Sequence, residues 1–326
     1  MTIRIGIVGY GNLGRGVEYA IDQNPDTELV AVFTRRDPGE IQLVHSAVPV
    51  YPLASVEEHR DSIDVMVLCG GSKGDLPEQG PKLAALFNTV DSFDTHAEIP
   101  TYFARVDEAS SSNGNLSVIS TGWDPGLFSL NRLVGEAVLP EGSTYSFWGK
   151  GVSQGHSAAI RKVAGVADAV QYTVPSEQAM ASARAGEQLS TGAADMHLRE
   201  CYVVLAEGAD AATVESEIVN MPHYFAEYTT VVHFISAEEL ARDHAGLPHG
   251  GFVIRSGTSA SGDNQVVEFK LTLESNPAFT ANVMVACARA AYRLAERGET
   301  GARTIFDIPP ALLSAKSAEE LRAGLL

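Results

Sequence analysis

Along the first third of the chain, short apolar runs alternate with longer amphipathic stretches. The runs Ile3–Val8, Leu29–Phe33, Val48–Tyr51, Ile63–Leu68, Thr89–Val90 and Leu116–Ile119 predict strands, with helical segments between most of them. Such βαβ rhythm implies a parallel, doubly wound sheet of Rossmann type, whose ligands lie beyond the carboxyl ends of the strands. After Pro125 the pattern changes. Thr144–Trp148, Cys201–Leu205, Thr229–Phe234, Phe252–Ser256 and Val266–Leu273 predict strands of a mixed or antiparallel sheet, several of them parted by Gly- and Ser-rich turns. Thr280–Arg297 then reads as a long helix with Val283, Ala286, Cys287, Ala290, Ala291 and Leu294 on one face, followed by a tail that packs back on the first domain. The fold class is therefore α/β with a second α+β domain. Residues 1–120, completed by 277–326, form the first domain and 121–276 the second, with a cleft between them.

Composition narrows the function classes. At 326 residues, 45% hydrophobic and 20% charged, the chain is an ordinary globular mix. Its net charge of −18 repels phosphate backbones and anionic lipid heads, which argues against nucleic-acid and membrane-surface roles. Any phosphate or carboxylate ligand must be held by a few placed cations, so single Arg and His residues carry weight. Cys69, Cys201 and Cys287 form no CxxC pair and indicate neither a disulfide framework nor a metal cluster. With no signal-peptide pattern and no apolar run near the roughly 18 residues needed to span a bilayer, a cytoplasmic protein is expected.

The first strand runs into Gly9-Tyr10-Gly11-Asn12-Leu13-Gly14, and a helical run opens at Arg15. Between strand and helix, such glycines permit a tight turn and bring a dinucleotide pyrophosphate against the helix N-terminus. Where the next strand ends, an NAD enzyme offers Asp or Glu to the ribose 2′-hydroxyl. Here the chain gives Thr34-Arg35-Arg36, a hydroxyl and two guanidiniums suited to a 2′-phosphate, although Asp37 follows and could neutralise part of the charge. NADP is the expected cofactor.

Three further loops leave strand ends: Cys69-Gly70-Gly71-Ser72, Asp91-Ser92-Phe93-Asp94 and Ser120-Thr121-Gly122-Trp123-Asp124-Pro125-Gly126. All three are expected to face the nicotinamide half of the cofactor. Asp94 and Asp124 would then converge, and two carboxylates beside a nicotinamide fit an ammonium that is held and deprotonated before hydride leaves its carbon. Either aspartate alone reads as a cap or turn residue. Cys69 reads as a nucleophile of the aldehyde-oxidising kind or, better, as a small buried thiol.

Taken together, Gly9–Gly14, Thr34–Arg36, STGWDPG at Ser120–Gly126, Phe147-Trp148-Gly149, SQGHS at Ser153–Ser157 and LPHGG at Leu247–Gly251 resemble the meso-diaminopimelate dehydrogenase family over nearly the whole chain. The resemblance implies NADP-dependent oxidative deamination at the D-centre of meso-2,6-diaminopimelate, giving L-2-amino-6-oxopimelate and ammonia, and the reverse reductive amination in lysine synthesis. It also implies a homodimer whose second domain serves substrate binding and dimerisation. By matching motif, Tyr10–Leu13, Thr34–Arg36, Cys69–Ser72, Ser92–Asp94 and Thr121–Pro125 would meet the cofactor. Asp94 and Asp124 would hold the reacting amino group, and Trp148, Gln154 and Gly155 the neighbouring carboxylate. Thr173, Arg199, His249 and Asn276 would anchor the distant L-centre.

Each of these residues has a plainer reading: Arg199 as a surface partner of Glu200, His249 as an exposed turn residue, Trp148 as core, His156 as a hydrogen-bonded structural residue rather than a base. Two other activities fit part of the pattern, a semialdehyde or amino-acid dehydrogenase using Cys69 and a catalytically silent NADP sensor. The sequence departs from the family pattern in a longer connection from Arg36 to Val48, in Gly70 where methionine is expected and in Ala158 where aspartate is expected.

Overall fold

The computed structural model describes residues 2–189 and 192–326. Its strands, in chain order, are β1 (Ile3–Val8), β2 (Thr27–Thr34), β3 (Val50–Pro52), β4 (Val65–Leu68), β5 (Thr89–Asp91), β6 (Leu116–Val118), β7 (Gly142–Trp148), β8 (Gly151–Val152), β9 (Val166–Pro175), β10 (His197–Leu205), β11 (Thr229–Phe234), β12 (His249–Ala260), β13 (Asp263–Leu273) and β14 (Gly301–Arg303). The chain divides into two compact units, residues 1–130 with 277–326 and residues 131–276.

The first unit holds a seven-stranded sheet in the order β14-β6-β5-β4-β1-β2-β3, with parallel pairing throughout. From β1 the chain moves one way to β2 and β3, then returns to the other side for β4, β5 and β6. The order therefore reverses between β1 and β4, and the crevice beyond their carboxyl ends is where such sheets bind ligands. Every residue of β4 is buried, as expected of a strand covered on both faces.

One layer against this sheet is the helix Asn276–Ala295, whose Ala281, Met284, Val285, Cys287, Ala288, Ala290 and Ala291 are fully buried. Small residues let it approach the helix Asn12–Asp22 closely: a Cβ on Gly16 would lie 3.0 Å from the Ala281 Cβ. Its buried Arg289 pairs with Asp26 at 2.6 Å and donates to the Asn24 side chain at 2.7 Å, which compensates the burial of the charge. That guanidinium holds the Asp26 carboxyl below its ordinary range. The helix starts four residues before the predicted Thr280, because Pro277 is tolerated in a first turn where its missing N–H is no loss. The tail supplies β14, which pairs with β6.

The second unit carries a four-stranded mixed sheet, β11-β10-β9-β8, and a three-stranded antiparallel sheet, β13-β12-β7. Four of the five predicted strands are longer than expected, β11 coincides with the predicted Thr229–Phe234, and β8 and β9 have no counterpart among them. The sequence of β9, with Asp168, Gln171 and Thr173 set among apolar residues, does not alternate cleanly, yet Gln171 and Thr173 are buried in its middle. No helix among the described residues is long and apolar enough to cross a membrane.

Candidate active site

The glycine loop joins β1 to the helix beginning at Asn12. A side chain at Gly14 would collide with the Gly9 carbonyl, so the loop needs glycine there to turn into the helix. Gly9 itself sits at φ +89. A Cβ on Gly11, by contrast, would meet nothing within 4 Å, and Gly11 caps the helix without a side-chain hydrogen bond. The first helical amides therefore face open space, the arrangement that accepts a pyrophosphate. Gly11 and Asn12 are exposed and Leu13 is half-buried, whereas Tyr10 is buried.

Thr34 ends β2, beside the glycine loop of the neighbouring β1. Its hydroxyl accepts the Arg36 amide at 3.0 Å, and an Arg36 guanidinium nitrogen donates to the Tyr10 carbonyl at 2.5 Å. Asp37 does not neutralise the pair: its carboxylate accepts the Gly39 amide at 2.9 Å. Arg35 instead meets Asp75 at 2.7 Å, an acid that sequence reasoning did not single out. Asp75 also accepts the Gly71 amide at 3.0 Å, and a Cβ on Gly70 would lie 2.7 Å from the Asp75 Cβ. That close approach explains why glycine replaces the expected methionine at position 70.

Glu18 is a second residue the sequence pattern hid, because an acid on the inner face of a helix reads as an error in the apolar stripe. It is 2% exposed and accepts from Tyr10, from the amides of Val44, His45 and Ser46, and from the Ser46 hydroxyl. Despite a desolvation cost that acts the other way, these donors hold its carboxyl down at about 2. The long connection after Arg36 is thus latched to the glycine helix.

The loops bearing Asp94 and Asp124 leave β5 and β6, which are adjacent and parallel, on the same edge of the sheet as the glycine turn. Asp94 is exposed and its amide donates to the Ser72 hydroxyl at 3.0 Å, so loop 91–94 touches loop 69–72. Asp124 and Pro125 are half-buried, Thr121 and Gly122 buried, and Trp123 packs edge-on against Phe128. Ser92 is half-buried and Phe93 is core. Cys69 closes β4 among apolar neighbours, and burial pushes its thiol far up, which removes the thiolate that a nucleophile requires.

In the second unit, pairing gathers the other predicted residues. Gly151 of β8 pairs with Thr173 of β9, and Thr173 pairs with Arg199 of β10. His249 opens β12 against Gly151, where a side chain would collide with the imidazole ring. The Asn276 amide donates to the Leu247 carbonyl at 3.1 Å, and the Val152 amide to the Pro248 carbonyl at 2.9 Å. Gln154 and Gly155 begin the helix Gln154–Ile160 and are exposed.

Three plainer readings fail here. Glu200 pairs with Lys150 at 2.6 Å, not with Arg199. Arg199 is 7% exposed, donates to the Thr173 hydroxyl at 2.5 Å and lies 3.9 Å over the Tyr228 ring. Its Nε is buried without a partner, and among the described residues no carboxylate pairs with it. His249 is half-buried and accepts the Gly250 amide at Nδ1, at 2.9 Å; burial lowers its pKa, leaving a neutral ring. Trp148 is 38% exposed rather than core, stacks on His197 with centroids 5.4 Å apart, and donates its amide to the His197 ring at 2.9 Å.

His156 bonds the Ser153 hydroxyl through Nδ1 at 2.7 Å and packs edge-on to Tyr224 and Phe225. Burial, aided by Arg199, lowers it to about 4, so it stays neutral at working pH. The unfolded chain takes up this proton first, near pH 6.5. Stability is therefore complete above that pH and is lost as pH falls towards 4, by about 1–2 kcal/mol once solvent screening of this partly exposed ring is allowed for. The thermal midpoint of the protein should drop across this window, and His156→Asn should flatten the profile; parallel profiles would contradict the assignment.

The family model described as Diaminopimelic acid dehydrogenase C-terminal domain matches residues 122–275. Meso-diaminopimelate D-dehydrogenase of Ureibacillus thermosphaericus is 63% identical over 324 residues, covering 99% of both chains. A crystal structure of a meso-dapdh mutant with DAP, from Clostridium tetani E88, is 55% identical with TM-score 0.91 and 100% of both chains covered. An engineered D-amino acid dehydrogenase bound to NADP+ is 43% identical with TM-score 0.83, again over 100% of both chains. Identity of this level along the entire length places the chain in the meso-diaminopimelate D-dehydrogenase family.

Proposed function

We propose that the chain is an NADP-dependent oxidoreductase that deaminates meso-2,6-diaminopimelate at its D-centre to L-2-amino-6-oxopimelate and ammonia, and runs the reverse amination in lysine biosynthesis. The observation that carries this reading is Arg199, a buried guanidinium with no carboxylate partner among the described residues. A buried cation without an anionic partner is costly to desolvate, and a substrate carboxylate offsets that cost. Thr173, the neutral His249 ring and Asn276 complete a polar anchor for the L-centre. Trp148, Gln154 and Gly155 take the carboxylate next to the reacting carbon.

The residues of the first unit fit NADP: open amides at Gly11 and Asn12 for the pyrophosphate, Thr34, Arg35 and Arg36 for the 2′-phosphate. When bound, NADP supplies the hydride acceptor. Tyr10, Leu13, Cys69–Ser72, Ser92, Phe93 and Thr121–Pro125 shape the rest of its surroundings. Asp94 and Asp124 hold the reacting ammonium and draw off its proton, so that the nitrogen lone pair can assist departure of hydride from carbon. The remote anchor decides which of two similar ends is presented, since only one end of the meso compound has the D-configuration.

Purified protein should form NADPH with meso-diaminopimelate and none with the LL-isomer. Asp124→Asn should lower kcat/KM about 10- to 150-fold, the worth of one charge-assisted hydrogen bond. Absence of NADPH with the meso compound refutes the reading. An Asp124→Asn variant as active as the parent would remove the carboxylate from the chemistry.

The proposed enzyme is a cytoplasmic homodimer. In the second unit, Leu133, Val134 and Val138 on the helix Leu127–Val138 and Val266 and Val267 on β13 are all exposed apolar residues. β13 ends its sheet, and an outer strand with apolar residues on both faces favours cover by a second copy. Light scattering should give twice the chain mass of 34.6 kDa, and Val134→Glu with Val138→Glu should halve it. A monomeric parent protein would contradict this assembly. The free cysteines suit a reducing compartment.

A further inference from the structure

The loops carrying Asp94 and Asp124 are held by a single buried residue that the proposed chemistry does not use. Asp91, the last residue of β5, is 1% exposed. Its Oδ1 accepts the Phe93 amide at 2.9 Å from one loop and the Ser120 amide at 3.0 Å from the other. Oδ2 accepts the Tyr102 hydroxyl at 2.7 Å. The Asp91 carbonyl accepts both the amide and the hydroxyl of Thr121, each at 2.8 Å. Loop 92–94 and loop 120–124 therefore meet at one oxygen, Oδ1 of Asp91, and loop 120–124 is tied to the Asp91 carbonyl as well.

Both carboxylate oxygens of Asp91 act here as acceptors, so one side chain takes donors from several directions. The donors here are placed accordingly. Ser120 adopts φ 56, a left-handed conformation that a residue with a side chain keeps only where its surroundings impose it. Its amide is the one that Asp91 receives. The support is itself firm: the Tyr102 ring stacks on Phe93 with centroids 4.1 Å apart and planes at 18°, and a side chain at Gly80 would collide with the Tyr102 hydroxyl. Asp94 lies three residues from this post and Asp124 four residues beyond Ser120, so a shift of the post moves both.

We propose that Asp91 is a positioning residue: its carboxylate sets the two loops in one register, so that Asp94 and Asp124 meet the substrate amino group with their separation already fixed. The proposal rests on the functional reading above. Positioning of this kind acts on turnover, because a misplacement of about 1 Å can slow a reaction about 100-fold while leaving remote binding contacts intact.

The test compares Asp91→Asn with Asp91→Ala. Asparagine is isosteric, its carbonyl still accepts the two loop amides, and its NH2 can donate to the Tyr102 oxygen; alanine offers neither. Turnover of meso-diaminopimelate is measured per NADP-binding site, so that loss of folded protein does not count as loss of kcat. Asp91→Ala should lower kcat about 30-fold or more and NADP affinity by less than about tenfold, since the same loops border the cofactor, while Asp91→Asn stays within about fivefold of the parent. Asp91→Ala holding kcat within threefold overturns the proposal, as does Asp91→Asn falling as far as alanine, since charge rather than geometry would then be at work. If Asp91→Ala yields no folded protein, Tyr102→Phe decides, because it removes the donor that holds Oδ2 and so lets the carboxylate turn, carrying both loop amides with it. A kcat lowered about three- to tenfold at unchanged NADP Kd supports positioning, and an unchanged kcat overturns it. An inactive parent enzyme refutes the functional reading; an active parent with active Asp91→Ala refutes only the role of Asp91.

Discussion

Arg199→Met should lower kcat/KM for meso-diaminopimelate about 30- to 5,000-fold, with NADP Kd unchanged. The range follows from removing one partner of a desolvated charge pair, which costs roughly 2–5 kcal/mol. In the free protein the same change works in the opposite direction. The guanidinium is 7% exposed, burial lowers its pKa, and the contacts it has are the Thr173 hydroxyl and the Tyr228 ring. Methionine fills the stem without a charge to desolvate, so the thermal midpoint should equal or exceed that of the parent. Activity collapsing while stability holds is the signature of a cation kept for a ligand. A loss below threefold in kcat/KM, or a fall of several degrees in midpoint, would mark Arg199 as a structural residue.

The second large effect concerns cofactor choice. Arg35→Ala with Arg36→Ala should weaken NADP binding by about 10- to 150-fold per arginine, since each charge-assisted phosphate contact is worth roughly 1.5–3 kcal/mol. The two residues differ in how they affect NAD. Arg35 is an exposed partner of Asp75, and its loss should leave NAD binding within about threefold, the scale of a surface ion pair. Arg36 also steadies the Tyr10 carbonyl in the glycine loop, so Arg36→Ala should weaken NAD somewhat as well. Fluorescence titration of both nucleotides against the three variants separates these terms. Equal loss for NAD and NADP in the double variant would remove the arginines from the 2′-phosphate.

Much of this architecture was legible because parallel strands covered on both faces are apolar throughout. The runs at Ile3–Val8 and Val65–Leu68 announce themselves, and the glycines between strand and helix fix the nucleotide end. Legibility failed where a strand turns a polar face inward. β9 carries Gln171 and Thr173 inside, the latter against Arg199, so its apolar pattern is broken by buried polar residues. Partners distant in sequence were hidden for a different reason. Asp75 reaches Arg35 and Gly71, and Glu18 gathers the amides of residues 44–46, through contacts that only the closed sheet creates. Motif reading named Asp94 and Asp124, yet offered no sign that Asp91 ties their loops together, because an acid at a strand end reads as an ordinary turn residue.

In the proposed reaction hydride leaves the D-configured α-carbon of meso-diaminopimelate for NADP. Meso-diaminopimelate labelled with deuterium at that carbon alone tests it directly, by mass measurement of the reduced nucleotide. The deuterium should appear in the reduced cofactor, and the L-centre should keep its hydrogen in the product. Unlabelled NADPH, or transfer of label placed instead on the L-centre, would contradict it.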